Sequence, residues 1–465
     1  MMSLSPRPPT MNNSIVNHQE FAAIIHQKSA NFLGRDFVFT AIHNFLNRYN
    51  RGYFTIIGLP GSGKSAIIAQ YIKEDSSENR QVIYYNAELE GKNQAEEFLR
   101  FVCQQLLDIT PPQPSNIQSL SSSSPRSGGT EGGAGREQNI PSFTGGVRGV
   151  LPDNATEGSW FLSLLLQQIS DHLQSNQPNQ KLIIAIDSLN CINSHLQPPG
   201  TNIFYLPRYI PQGVYFLLTR RRFLSDNSGL LIEAPVQSLH LEDYPQENKQ
   251  DIQNYIRRNL TPLTPLPYEG RGEQDASNSP SPITEIEEKN LSNSPLLVGE
   301  GLGERSIKSW LNTQQINAAE FITNLTNRSE NNFMYVSQIL AAINNINNNI
   351  NNGFYDQYSQ LETSLPPELE TYYQQHLQQM LDLTDQDFAV AVLKILAQQT
   401  QPISVTDIAN LLETDEFDVE EILESWFEFL QVETISGTIS NVTVYRFYHD
   451  HFRQWLISFF CNHSF

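Results

Sequence analysis

Eight consecutive residues, Gly58-Leu59-Pro60-Gly61-Ser62-Gly63-Lys64-Ser65, fit G-x-x-x-x-G-K-[ST], the spacing of a phosphate-binding loop. Gly58, Gly61 and Gly63 let the backbone curl so that successive N–H groups face phosphate oxygens at a helix N-terminus, with no bulky side chain between. Pro60 stiffens that curl and Ser62 lies within it. Lys64 supplies a point charge for the β- and γ-phosphates, and the Ser65 hydroxyl is a Mg²⁺ ligand in such a loop. The expected chemistry is binding of ATP or GTP with Mg²⁺, set against a glycine-rich turn that fits the spacing by chance.

Other segments extend this site. Lys181-Leu182-Ile183-Ile184-Ala185-Ile186-Asp187 is an apolar run ending in a carboxylate, so a buried strand is expected to hold Asp187 beside Ser65 as the second Mg²⁺ position. Three residues later stands Asn190, where a carboxylate could orient an attacking water. An amide cannot accept a proton as a general base, so hydrolysis is expected to be slow unless another acid substitutes. After Val214-Tyr215-Phe216-Leu217-Leu218 come Thr219, Arg220, Arg221 and Arg222 at the C-terminal end of another strand, the edge where open α/β sheets bind ligands. Arg220 is the expected γ-phosphate sensor; a solvated basic cluster is the alternative.

The elements needed to position these groups are legible in the periodicity. Tyr53–Ile57 is a β-branched and aromatic run, and Ala66–Ile72 has helical apolar spacing, so a strand feeds the loop and a helix leaves it. Strands over 53–58, 81–87, 181–186, 213–219 and 238–241 alternate with helices over 64–74, 94–107 and 160–173, the pattern of a parallel sheet with helices on both faces. Beyond Glu247 the pattern is helical: 251–260, 318–327, 333–350, 367–381 and 388–398. The Asn-rich stretch 343–352 keeps Ile343, Ile346 and Ile350 on one face and reads as a fraying helix end. In the last hundred residues a helix starting at 403–409, a second over 419–430 and a strand over 442–447 spell a winged helix. The expected fold class is α/β: a P-loop NTPase sheet with helices on both faces, an all-helical lid and a winged-helix domain. The domains expected are a tail over 1–30, the nucleotide-binding domain over 31–260, a lid over 306–365 and the winged helix over 366–465. Residues about 111–158 and 261–305, rich in Gly, Pro and Ser and sharing a GTEGGAGRE or GEGLGER flavour, read as disordered insertions, with functional linkers as the competitor.

The 465 residues suffice for several cores, and the formal charge of -21 argues against a general polyanion binder. From Pro366 onward sixteen Asp and Glu face only Lys394, Arg446 and Arg453 among Lys and Arg, and acids at 415, 416, 418, 420, 421 and 424 would repel phosphates, so nucleic acid is not the expected partner. Three scattered cysteines, 103, 191 and 461, show no zinc or disulfide spacing. With no signal-like apolar core before Asn31 and no apolar run of membrane-spanning length, a cytoplasmic protein is expected.

The order of Phe32-Leu33-Gly34-Arg35, the phosphate loop, Asp187-Ser188-Leu189-Asn190, Leu218-Thr219-Arg220, Asp251–Ile256, Asn332-Phe333-Met334-Tyr335 and Leu365–Glu370 resembles the STAND class of signalling ATPases. The nearest branch is the bacterial NACHT or NB-ARC type, often found ahead of WD or tetratricopeptide repeats, and the resemblance covers about 31–460 less the two insertions. It implies that Gly34 and Arg35 border the adenine through their backbone, that Thr219-Arg220 is the sensor pair, and that His449, in Tyr445-Arg446-Phe447-Tyr448-His449-Asp450, touches the ADP β-phosphate as a latch. The alternative for His449 is packing at a strand-to-helix corner. The chain departs from the family at Asn190, where most relatives carry an acid, and near Asn332-Phe333, where the Gly-x-Pro that packs on adenine is missing. No repeat sensor precedes Phe465, and the first thirty residues are short for an effector domain. The implied function is an ATP/ADP switch that opens and self-associates under nucleotide control, with a repeat-containing sensor as a possible partner. A non-hydrolysing adaptor and a winged-helix DNA regulator are the other readings.

Overall fold

The computed structural model describes residues 21–74, 79–109, 151–193, 196–223, 229–260, 307–348, 366–382, 386–436 and 441–463. The insertion readings over 111–150 and 261–305, and the Asn-rich stretch past Asn348, lie outside these residues. Leu151–Gly158, the end of the first expected insertion, is described: Ala155 is buried, and the Trp160 indole donates to the Asn154 carbonyl at 3.0 Å.

Strands β1 (Gly52–Ile57), β2 (Arg80–Asn86), β3 (Lys181–Asp187), β4 (Val214–Arg220) and β5 (Val236–His240) form a parallel sheet in the order β2-β3-β4-β1-β5. Every residue of β1 and β4 is buried, so neither face of these strands meets water. Their continuous apolar runs reflect that two-sided burial, whereas edge strand β5 leaves Val236 exposed. Helices α1 (Ala22–Ser29), α2 (Asp36–Arg48), α3 (Lys64–Glu74), α4 (Ala95–Ile109) and α5 (Trp160–Asn176) complete this layer, and α1 packs along α3. Phe21, ahead of α1, lies edge-on to Tyr84, Tyr85 and Phe101 with centroids 5.2–5.8 Å away, so the core starts before residue 31. The registers Ile57↔Arg220, Ile186↔Leu218 and Asn86↔Asp187 bring the C-terminal ends of four strands to one edge.

A second core joins the remaining elements: α6 (Pro245–Leu260), α7 (Ile307–Thr313), α8 (Ala318–Ser329), α9 (Phe333–Asn348), α10 (Pro367–Leu381) and α11 (Gln386–Gln398) share it with the C-terminal unit. In that unit β6 (Ile403–Ser404), α12 (Val405–Leu412) and α13 (Glu416–Ser425) precede an antiparallel hairpin, β7 (Leu430–Ser436) and β8 (Asn441–Phe447), and α14 (Asp450–Asn462). Ser404 and Asp415 cap α12 and α13 through bonds to the Asp407 and Phe417 amides. The helix expected over 419–430 stops at Ser425, because Leu430 is committed to the hairpin opposite Phe447. The Trp426 indole donates to the Met380 carbonyl at 2.7 Å and fixes α13 on α10. Among the described residues no helix is long and apolar enough to cross a membrane.

Candidate functional site

The loop after β1 holds Gly61 at φ +75° and Gly63 at +91°, left-handed conformations that favour glycine. Its helix α3 begins at Lys64, with the Ile67 amide bonded to the Gly63 carbonyl, so the first-turn amides have no acceptor within the helix. Lys64 Nζ donates to the carbonyls of Gly58 at 2.8 Å and Leu59 at 2.9 Å. Burial, with the charge of Arg221 second, pulls its pKa down to about 8.

Asp187 ends β3 fully buried, and its oxygens accept from the hydroxyls of Ser65 at 3.1 Å, Tyr84 at 3.2 Å and Thr219. Burial raises its pKa, and the Thr219 and Ser65 bonds act against that rise. A hydroxyl and a carboxylate side by side are suited to a hard oxygen-seeking cation such as Mg²⁺. Among the described residues no group of three or more His, Cys, Asp or Glu could hold a metal, so any Mg²⁺ here depends on this small oxygen set and a polyanionic ligand.

A cavity of about 450 Å³ opens beside these groups. Gly61, Gly63, Lys64 and Ser65 line one wall, while Phe333, Met334 and Tyr372, from α9 and α10, line another. Phe32, Leu33 and Tyr255 add apolar surface. Its size is within the range of small-molecule sites. Curled loop, lysine, hydroxyl and apolar wall together fit a nucleoside polyphosphate.

Gly34 and Arg35 adjoin the site. Gly34, at φ +78°, has its Cα so close to Asp251 that a Cβ would lie 2.2 Å from the carboxylate. The Arg35 guanidinium is buried and donates to the Ser62 carbonyl at 2.6 Å and to the Asn248 side chain, with the Phe333 ring 4.5 Å away. Burial lowers its pKa to about 10, with Asp251 and Glu242 opposing. Arg35 thus lines the cavity and ties down the phosphate loop with its side chain, a contact that the motif did not reveal.

The three arginines at the end of β4 diverge. The Arg220 guanidinium is 3.6 Å from the Phe223 ring centre, and Arg220 is not among the residues lining the cavity. Arg221 does line it; its backbone N–H donates to the Asn190 side-chain oxygen at 3.1 Å, and its guanidinium donates at 3.2 Å to Glu428 and to Gln379. Arg222 faces a second cavity behind the loop. His449 also departs from the expected position: it is fully buried, 3.3 Å from the Tyr373 hydroxyl and 5.0 Å between centroids from Tyr335, and does not line the nucleotide cavity. Burial and the neighbouring His451 lower its pKa to about 3, leaving it neutral at pH 7. The buried histidine whose charge environment includes Lys64 is His376, bonded to the Tyr448 hydroxyl at 2.9 Å.

At Asn332-Phe333, where the Gly-x-Pro is missing, the contact is to the loop itself. The Met334 amide donates to the Gly61 carbonyl at 3.0 Å, and Asn332 Nδ2 to the Pro60 carbonyl at 3.3 Å. A Cβ on Gly61 would lie 2.2 Å from Asn332 Oδ1. Gly61→Ala is therefore expected to cost about 1–3 kcal/mol from backbone strain alone, and a thermal denaturation curve unchanged from that of the parent chain would disprove the close fit.

The parallel sheet with helices about it and the glycine-rich loop between β1 and α3 give the chain a fold of the P-loop NTPase type. No protein-family model matches the chain, and no curated protein matches it. Among solved structures it is similar to a Signal Transduction ATPase with Numerous Domains (STAND) protein with a tetratricopeptide repeat sensor from Pyrococcus horikoshii, at 13% identity and TM-score 0.30 over 91% of this chain and 42% of that one. It is also similar to a structure of Drosophila ORC bound to DNA, at 11% identity and TM-score 0.31 over 95% and 99% of the two chains. The third is Cdc6p from Pyrobaculum aerophilum, at 11% identity and TM-score 0.24 over 97% of each. The chain spans less than half the length of the STAND protein, and likeness at this level transfers no residue's role.

Proposed function

We propose that the chain is an ATP/ADP-binding signal-transduction switch of the STAND class, in its NACHT or NB-ARC-like branch. The observation that carries this reading is the composition of the nucleotide cavity: one wall is the phosphate loop, and another is α9 and α10 of the second core. An occupant touches both parts, so its charge biases how they sit. Gly58–Ser65 hold the phosphates, Ser65 and Asp187 hold Mg²⁺, and bound Mg²⁺ supplies charge neutralisation. ADP favours the closed arrangement; ATP favours an open, self-associating form that reports to a partner such as a repeat-containing sensor. The C-terminal unit acts as an acidic winged helix within this switch, in the cytoplasm, without contacting nucleic acid. His449 serves by packing the corner against Tyr335 and Tyr373. Asn190 favours a second reading, an adaptor that binds nucleotide without turning it over.

Calorimetric titration with ATP and ADP, followed by small-angle scattering of each complex, tests the switch. Micromolar binding of both with a larger particle in the triphosphate state is expected. Binding without a change in scattering leaves the adaptor; no binding removes both readings. The Arg221–Glu428 pair, 3.2 Å apart with side chains 12% and 25% exposed, is an ion pair across the two parts, beside the hydrogen bonds of Arg221 to Gln379 and of Met334 and Asn332 to the phosphate loop. Glu428→Ala is expected to favour opening by about 1.5–3 kcal/mol, the value of a charged hydrogen bond, and faster hydrogen exchange in α10 would report it.

A further inference from the structure

Asn190, three residues past the end of β3, stands where a carboxylate could orient an attacking water, yet the cavity has a carboxylate on its wall. Glu88, two residues past β2, lines the cavity together with Lys64, Ser65, Ser188 and Asn190. Strand pairing explains its location. β2 and β3 are neighbours with Asn86 opposite Asp187, so two residues further the chains carry Glu88 and Leu189, one residue from Asn190. The backbone there is tied down: the Ala87 amide donates to the Asp187 carbonyl at 3.1 Å and the Glu88 amide to the Asn86 side chain at 2.8 Å. Beyond it the Tyr85 hydroxyl holds the Lys92 carbonyl at 2.7 Å. Asn86 Nδ2 donates to the Tyr84 hydroxyl at 3.3 Å, and that hydroxyl donates to Asp187, so one buried network holds both the Mg²⁺-side carboxylate and the turn bearing Glu88. Glu88 and Glu90, on the same turn, are both exposed, and only Glu88 is among the cavity-lining residues.

We propose that Glu88 is the catalytic carboxylate of this site, supplied by the strand beside β3 in place of the acid missing at Asn190. This rests on the nucleotide-binding reading above and gives it a hydrolytic step. A water attacks the terminal phosphorus of the bound triphosphate and passes a proton to the Glu88 carboxylate. The new P–O bond forms as the bond from that phosphorus to the bridging oxygen breaks, and the diphosphate leaves with the electron pair. The proton then passes to the released phosphate or to solvent.

The test compares Glu88→Gln, Glu88→Asp and Glu90→Gln in the full chain. ATP affinity by calorimetry is expected to stay within about threefold for all three. Phosphate release is expected to fall by about 10²-fold or more in Glu88→Gln, the share of a general base, to persist partly in Glu88→Asp and to be unchanged in Glu90→Gln. As a readout independent of turnover, nucleotide extracted from the purified protein after acid quench is expected to shift from ADP towards ATP in Glu88→Gln. Phosphate release from Glu88→Gln equal to that of the parent chain overturns the proposal. So does a parent chain that binds ATP and never releases phosphate, an outcome that leaves nucleotide binding standing. A parent chain that binds no nucleotide overturns both.

Discussion

Replacing Arg35 by alanine is expected to destabilise the sheet domain by about 3–5 kcal/mol, as breaking a buried charged network does. The side chain is only 2% exposed and donates to Ser62 and Asn248, while its backbone N–H donates to Asp251 at 3.0 Å. Truncation leaves the Ser62 carbonyl and the Asn248 side-chain oxygen without these donors, and opens space beneath Phe333. The loop loses its bond at Ser62 and the cavity loses a lining group, so nucleotide affinity is expected to fall along with stability. Lysine is expected not to rescue the variant, because a single ammonium lacks the planar fork that serves Asn248 and Ser62 together. The backbone gives a second check. Arg35 sits at φ +69°, where glycine is relaxed and alanine is not, so Arg35→Gly is expected to be the milder change by about 1 kcal/mol. Differential scanning calorimetry of the three variants decides the matter. A loss under about 1 kcal/mol for alanine would show that Asn248 and Ser62 find other partners at little cost.

The parts of this site that were legible in the sequence are those fixed by neighbours along the chain. The loop spacing places Lys64 and Ser65 on a helix start, and an apolar strand that ends in Asp187 sets that acid beside Ser65 at 3.1 Å. Strand–loop–helix order alone dictates these contacts. The parts that were not legible depend on register and on distant elements. In the run Arg220-Arg221-Arg222 the choice of arginine turns on where β4 ends, and a shift of one residue along a strand reverses the direction of a side chain. β4 ends at Arg220, and it is Arg221 that lines the cavity. Glu88 resembles any polar residue after a strand until β2 is known to lie next to β3. The motif gives Gly61 a place in the phosphate curl and the resemblance sets Gly34 at the adenine, but neither reveals the close approach of Asp251 to Gly34 or of Asn332 to Gly61, from 217 and 271 residues away in sequence, the differences of their residue numbers. His449 carried the pattern of a nucleotide contact, but Tyr335, Tyr373 and His451 surround it, and a neutral buried imidazole packs more readily than it pairs with a phosphate.

For Lys64 the expected result is loss of nucleotide binding, with a pH signature that assigns the loss to its charge. The Lys64 ammonium's hydrogen bonds go to the loop: the carbonyls of Gly58 and Leu59 and, at 3.4 Å, the Ser62 hydroxyl. Lys64→Ala removes a charged donor worth about 1.5–3 kcal/mol, so ATP and ADP affinity should fall by roughly 10- to 150-fold. Loss of those loop bonds alone could mimic the effect, and the pH profile separates the two causes. Burial, then the positive field of Arg221, holds the free ammonium's pKa at about 8. A bound polyphosphate favours the charged form and raises that pKa. Affinity is therefore at its full value below pH 8 and declines as pH rises through the free-state pKa, by up to tenfold per pH unit. Phosphate groups complete their own titration near pH 6, below this window. At pH 8.5 binding should take up a proton, measurable as a dependence of the calorimetric enthalpy on the buffer's ionisation enthalpy. Lys64→Arg, whose guanidinium stays charged across the range, should flatten the profile even where it weakens binding. An affinity that is level from about pH 7 to 9.5 in the parent chain would place the binding energy in the backbone amides of the α3 turn, and Lys64 would then act as a cross-brace between the two ends of the loop.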